Sequence, residues 1–159
     1  MVIAVLTISD RCSQGLMTDT AGPAVVTLLR KYWPEAEIET SLLADNEDAI
    51  SAELNRLSCR GDALVLTVGG TGLGPRDRTP EATRRVIDRE APGLAEAMRS
   101  RGAAANPYAW LARGAAGLKD RTLIVNLPGS KRGAEQSLAS IVDLLQHGLQ
   151  VAAGSQTHP

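Results

Sequence analysis

The chain has 159 residues, 43% of them apolar and 22% charged, with 17 Lys and Arg against 18 Asp and Glu. That length suits one globular domain burying roughly 70% of its extended surface, with no room for a second. A formal charge of -1 excludes the basic footprint of a nucleic-acid binder or a membrane-surface protein and points to a small, self-contained partner.

The run from Val2 to Ile8 is nearly all apolar, as in a strand buried on both faces of a parallel sheet. It follows no basic leader, carries no cleavage site and falls far short of the ~20 residues of a membrane span. No membrane is expected, and the expected location is cytoplasmic. Gly22-Pro23 then opens a helix in which Val25, Leu28, Leu29 and Tyr32 share a face and Pro34 marks the stop. Glu37 to Leu42 alternates polar and apolar residues and predicts a half-exposed edge strand. Asn46 caps a second helix, with Glu47 and Asp48 in its first turn, Ile50, Leu54 and Leu57 inward and Gly61 at its end.

Ala63 to Val68 is another buried strand. Thr79-Pro80-Glu81 has the form of an N-cap and first turn, predicting a helix that carries Ala82, Val86 and Ile87 inward. A further helix runs from Pro92-Gly93 to about Arg101. The Ala- and Gly-rich stretch from Gly102 to Gly117 has no usable period. Thr122 to Leu127 is the last buried strand, and about Gly133 to Ala152 a long helix with Leu138, Ile141, Val142, Leu145 and Leu149 on one face. Residues 1–152 are expected to form a single domain and 153–159 a frayed tail. Strands alternating with helices predict a three-layer α/β/α sandwich with a mostly parallel sheet, whose ligands bind beyond the carboxyl ends of the strands.

Three polar turns fall at those ends. Gly69-Gly70-Thr71-Gly72-Leu73-Gly74-Pro75-Arg76-Asp77-Arg78 is longer than the ~2–6 residues such connections need. Its glycines let the backbone approach an anion closely, and phosphate is the natural guest. Neither standard phosphate motif fits: Pro75-Arg76 stands where a P-loop needs Lys-Ser/Thr, and Pro75 replaces the third glycine of a dinucleotide fingerprint. A ligand-free connector is the competing reading of the glycines alone. Asp77 can hold a divalent cation and Arg76 or Arg78 can fork onto phosphate, or Asp77 can be a helix-dipole or Arg-paired carboxylate. Asp45 either reaches the same edge or belongs to the cap of the second helix. Pro128-Gly129-Ser130 followed by Lys131-Arg132 makes a second anion cradle or a helix cap with a solvated basic pair. Ser9-Asp10-Arg11 adds a hydroxyl, an acid and a guanidinium at the first strand's end.

Nucleophilic hydrolysis is disfavoured, because there is no Gly-x-Ser-x-Gly elbow, His147 lies in the last helix and Cys12 has no identifiable base. Cys12 and Cys59 stand far apart and both His147 and His158 fall near the end, so Cys/His zinc spacing cannot be assembled.

Thr7-Ile8-Ser9-Asp10-Arg11, Asp19-Thr20-Ala21-Gly22, Gly69-Gly70-Thr71-Gly72, the run from Arg76 to Thr83 and the run from Leu123 to Ser130 occur in order, as in one known family. The chain resembles the molybdopterin-binding MogA/MoaB family, which includes the gephyrin G domain, over Val2 to His147. The resemblance implies an α/β/α homotrimer with molybdopterin adenylyltransferase activity, transferring AMP from Mg-ATP to molybdopterin and releasing pyrophosphate in molybdenum cofactor biosynthesis. It implies that Asp45 and Asp77 are the essential acids, acting through Mg²⁺. It also implies that Gly70, Thr71 and Gly72 line the nucleotide and phosphate site, with Ser9, Asp10, Arg76, Pro128, Gly129 and Ser130 contacting substrate. A molybdenum insertase is the downstream partner it suggests. A non-catalytic molybdopterin carrier with the same pocket is the alternative. The sequence departs from the family at Ala112, where Leu-Ser-Arg is usual, and at Lys131, where proline is customary. It has no Phe and only Tyr32, Trp33, Tyr108 and Trp110 as aromatics; Trp110 is one candidate for ring stacking or, alternatively, for packing.

Overall fold

The computed structural model describes residues 1–154; of the tail expected at 153–159, residues 155–159, His158 among them, lie outside the described residues. In chain order the elements are β1 (Val2–Ile8), α1 (Asp10–Ser13), α2 (Ala21–Tyr32), β2 (Glu37–Leu43), α3 (Glu47–Arg60), β3 (Leu64–Val68) and α4 (Thr79–Arg84). There follow β4 (Arg89–Glu90), α5 (Pro92–Ala103), a 3₁₀ turn (Pro107–Leu111), β5 (Ala116–Lys119), β6 (Thr122–Leu127) and α6 (Lys131–Ala152). One sheet holds all six strands in the order β2-β1-β3-β6-β5-β4. The first four are parallel, with Ile8 opposite Leu43, Thr7 opposite Val68 and Val68 opposite Leu127, so their carboxyl ends share one edge. β5 and β4 add an antiparallel flank.

Alternation along the strands builds two cores. Ile3 and Val5 of β1, Leu64, Leu66 and Val68 of β3 and Leu123, Val125 and Leu127 of β6 pack with α2, α5 and α6 on one face. Ala4, Leu6 and Ile8, Val65 and Ile124 pack with α3 and the α4 region on the other. The result is the three-layer α/β/α sandwich expected. Leu138, Ile141 and Leu145 of α6 are wholly enclosed, each stabilising the fold by roughly 1.5–3 kcal/mol relative to exposure; Val142 lies at the margin of that stripe. β2 pairs only with β1 and leaves most of its side chains exposed, as an edge strand should. Asn46 caps α3 through Ala49 N at 2.8 Å, and Gly61 ends it with φ 90°. No helix among the described residues is long and apolar enough to cross a membrane.

Three sequence expectations are corrected. Thr79 is not an N-cap: its N–H is taken by Gly70 O at 3.1 Å, which draws Thr79 into the first turn and leaves Arg78 in the cap position without a side-chain bond. α4 stops at Arg84, where Val86 N and Ile87 N both turn back to Thr83 O at 3.0 Å; Val86 and Ile87 reach the second core from beyond the helix. α6 starts at Lys131, two residues before Gly133, because Ser130 Oγ accepts from Gly133 N at 3.2 Å and caps it.

The chain leaves β1 for β2 on one side and β3 for β6 on the other. That reversal places a crevice outside the carboxyl ends of β1 and β3, where open α/β sheets take their ligands.

Candidate active site

Four strand ends supply the walls of this crevice. At the end of β1, Ser9 Oγ accepts from Cys12 N at 3.2 Å and caps the one-turn α1, which Asp10 opens. At the end of β2, the Asn46 cap frees Asp45 from that duty. Asp45 Oδ2 instead accepts from Asp10 N at 2.9 Å, and Asp45 N donates to Asp10 Oδ1 at 3.0 Å. These reciprocal bonds tie the two strand exits together. Arg76, 68% exposed, reaches across from the glycine loop to Asp10, its Nε at 2.8 Å and Nη2 at 2.7 Å from Oδ2. That guanidinium holds the Asp10 carboxyl below the usual carboxylate range. Burial pushes the Asp45 carboxyl up, against the Asp10 amide bond, and the negative charges of Asp10 and Asp77 push it further.

The glycine loop leaves β3 through two left-handed residues, Gly69 at φ 113° and Gly70 at φ 63°. A Cβ on Gly69 would stand 2.2 Å from Ile8 O, and one on Gly129 would stand 3.1 Å from Gly69 Cα. The turns after β1, β3 and β6 therefore touch through bare backbone. Asp77 folds back under the loop, where its Oδ2 accepts from Gly74 N at 2.9 Å. Among the described residues, the amides of Gly70, Thr71, Gly72, Leu73, Gly129 and Ser130 donate to no protein acceptor. Unpaired amides clustered on adjoining turns form an anion-binding concavity.

These features lie along one groove. A cavity of about 210 Å³ between α5, the 3₁₀ turn and the start of α6 is lined by Arg99, Tyr108, Asn126, Ser130 and Ser137 among others. Through Thr71, Pro128 and Ser130 it opens onto a cleft that also exposes Gly70, Gly72, Asp77 and Gly129. That cleft in turn shares Gly70, Asp77 and Gly129 with a hollow walled by Thr7, Ser9, Asp19 and Asp45. The structure thus brings Ser9, Asp45, Gly70, Thr71, Gly72, Asp77, Pro128, Gly129 and Ser130 onto one surface. Asp10 and Arg76 stand beside it, engaged with each other. Arg78 turns away to Glu47, its Nε 2.9 Å from Oε2. Trp110 is 59% exposed and lines none of these three hollows; Tyr108 is the aromatic side chain at the groove.

Magnesium suits the donors on this surface. Asp45 and Asp77 offer hard carboxylate oxygens, and Mg²⁺ is ordinarily held by one or two carboxylates together with substrate phosphates and water. Among the described residues no three acids, histidines or cysteines converge into a metal cage made by protein alone.

Comparison with known proteins identifies the family. Residues 4–147 match the family model described as "probable molybdopterin binding domain". The chain is 36% identical over 156 residues to the molybdopterin adenylyltransferase of Escherichia coli K12, covering 92% of this chain and 78% of that protein. It is 36% identical over 152 residues to the molybdenum cofactor synthesis protein cinnamon of Drosophila melanogaster, covering 95% of this chain. It spans only 25% of that protein and 47% of a bifunctional molybdenum cofactor biosynthesis protein of Synechococcus elongatus. The crystal structure of the molybdopterin biosynthesis enzyme MoaB from Thermus thermophilus superimposes with a TM-score of 0.87 at 44% identity, covering 96% of each chain. With its family model covering most of its length and its sheet, helices and strand-end groove arranged as described, this chain belongs to the MogA/MoaB family of molybdopterin-binding domains.

Proposed function

We propose that this protein is a molybdopterin adenylyltransferase acting in molybdenum cofactor biosynthesis. A terminal phosphate oxygen of molybdopterin forms a bond to the α-phosphorus of ATP, the bond from that phosphorus to the bridging oxygen breaks, and pyrophosphate leaves with the electron pair. Such a displacement needs no covalent nucleophile from the protein; it needs alignment of two phosphates and neutralisation of the charge that builds between them. The observation that carries the reading is the convergence of Asp45 and Asp77 with the unpaired amides of Gly70 to Leu73 and of Gly129 and Ser130.

The roles follow from position. The glycine turns hold phosphate oxygens by main-chain donors, which keep their aim because the turns brace one another. Asp45 and Asp77 would hold Mg²⁺ when it is bound, and the ion supplies positive charge against the polyphosphate. Asp10 fixes Asp45 from behind rather than meeting substrate through its own carboxylate. The cavity under the 3₁₀ turn is large enough to take a ring system beside the phosphate cleft. The homotrimer and a molybdenum insertase as recipient of the product belong to the same reading and rest on the family resemblance.

Purified protein given molybdopterin, ATP and Mg²⁺ is expected to release pyrophosphate. Asp77→Asn keeps an oxygen for Gly74 N but lacks the charge, so release should fall at least ~100-fold while molybdopterin binding persists. Wild-type protein that binds molybdopterin tightly and yields no pyrophosphate would instead be a carrier.

A further inference from the structure

A loop with glycine at four of the ten positions from 69 to 78 is costly to order, because each glycine gives up more conformational freedom than any other residue. Its internal ties are few: Asp77 N to Gly74 O at 3.0 Å, Gly74 N to Asp77 Oδ2 at 2.9 Å and Thr79 N to Gly70 O at 3.1 Å. Gly69 N bonds Leu127 O and the Arg76 and Arg78 side chains reach Asp10 and Glu47, but the loop carbonyls of Thr71, Gly72 and Asp77 are all held by a single residue on another segment. Arg113, between the 3₁₀ turn and β5, donates its main-chain N–H to Thr71 O at 2.9 Å, its Nε to Gly72 O at 2.7 Å and its Nη2 to Asp77 O at 2.6 Å. Its Nη1 meets the Glu81 carboxylate in the first turn of α4. One side chain thus spans the start of the loop, its end and the helix that follows.

The consequence for the groove comes from peptide geometry. In a trans peptide the C=O and the next N–H point in opposite directions. Turning Thr71 O and Gly72 O toward Arg113 therefore turns the amides of Gly72 and Leu73 away from it, and these are two of the donors that lack a protein acceptor. Holding Asp77 O fixes the backbone from which the Asp77 carboxylate departs. The guanidinium itself remains on the far side, engaged by two carbonyls and a carboxylate. Burial works most strongly on the Glu81 carboxyl, to raise it, but the Arg113 hydrogen bond, a main-chain bond and the Arg113 and Arg78 charges together hold it below its usual range.

We propose that Arg113 is the positioning residue of this site, a cross-brace that sets the loop amides and Asp77 for a polyphosphate before any ligand arrives. The inference rests on the transferase reading for its rate effect, and on geometry alone for its effect on the loop. Two readouts keep these apart. Arg113→Met should lower kcat for pyrophosphate release about 100-fold, with KM for molybdopterin changed less than about 3-fold, because misplacement of about 1 Å is enough for such a loss. In the same variant, hydrogen exchange of the bonded loop amides of Gly74, Asp77 and Thr79 should quicken at least ~10-fold while β3 and β6 keep wild-type protection. Arg113→Lys, which supplies one donor in place of the fork, should recover part of both and decides the matter if Arg113→Met does not fold. Folded Arg113→Met, or failing that Arg113→Lys, with wild-type exchange at those three amides overturns the proposal. So does a folded variant with faster exchange and undiminished kcat. Wild-type protein inactive with molybdopterin and ATP would defeat the transferase reading, and the exchange experiment would still decide the brace.

Discussion

Glycines of the same loop should fail in different ways when given a methyl group. In Gly69→Ala the new Cβ would lie 2.2 Å from the carbonyl oxygen of Ile8 and the residue would keep φ 113°. Non-glycine residues in such sparsely populated regions are strained by about 1–3 kcal/mol, and overpacking an unyielding neighbour adds about 1–3 kcal/mol. Ile8 cannot give way easily, because it is the last β1 residue, buried and paired with Leu43. The sum, roughly 2–6 kcal/mol, is a large part of the ~5–15 kcal/mol that holds a domain together. At about 2–4 °C per kcal/mol it lowers Tm by roughly 4–24 °C. In Gly74→Ala the Cβ meets only Asp77 Oδ2, at 2.8 Å, and φ is not positive. The carboxylate can swing aside, so Tm should fall by less than about 3 °C, yet the acid leaves its place and pyrophosphate release should drop about 100-fold. Thermal unfolding and single-turnover assays on the two variants separate the effects. Gly69→Ala with wild-type Tm would refute the backbone contact between the β1 and β3 exits. Gly74→Ala with full activity would refute the placement of Asp77.

Asp45 gives a pH test with a defined sign. Its native carboxyl is pushed up, so the folded chain binds that proton more tightly than the unfolded one, and stability falls as pH rises from about 3.9 through the raised value. Asp45→Asn keeps an oxygen for Asp10 N and escapes the penalty. At pH 7 its Tm should equal or exceed wild type while activity is lost, and the advantage should vanish near pH 4; a variant less stable at pH 7 than at pH 4, relative to wild type, would contradict the assignment. Asn126 joins three elements: Nδ2 donates to Thr67 Oγ1 at 2.9 Å and Thr83 Oγ1 at 2.8 Å, and Oδ1 accepts from Ala115 N at 3.0 Å. Asn126→Ala strands a buried amide and opens a hole, so chemical denaturation should show a loss of about 2–4 kcal/mol; a loss below about 1 kcal/mol would mean that this network carries little of the fold.

Local chemistry made much of the fold legible. The buried runs of β1, β3 and β6, the Asn46 cap and the Gly61 stop each depend on residues within a few positions, and each lies where the pattern puts it. β4 and β5 were illegible for a physical reason: β4 has two residues, and β5, Ala116-Gly117-Leu118-Lys119, has no strand formers beyond Leu118 and is held by pairing with β6. Thr79 misled because a serine or threonine before Pro-Glu caps many helices, and only the distant Gly70 carbonyl overrides it.

The site divides along the same line. Each strand end announces its own polar turn, and a parallel sheet must bring those turns together, so the glycine turns and Asp77 can be found without coordinates. Asp45 could be read as a cap or as a site acid, and what separates the two is that Asn46 takes the cap and leaves Asp45 to face Asp10. Arg113 matches the last residue of the family's Leu-Ser-Arg segment, but its role could not be found. Two of its side-chain partners are main-chain carbonyls 41 and 36 residues away, at Gly72 and Asp77, and a carbonyl has no sequence signature. The groups that would touch substrate are thus written in residue types, whereas the groups that hold them still are written in backbone contacts. Substitution at Arg113, whose role no residue pattern discloses, is therefore where loss of function should surprise a reader of the sequence alone.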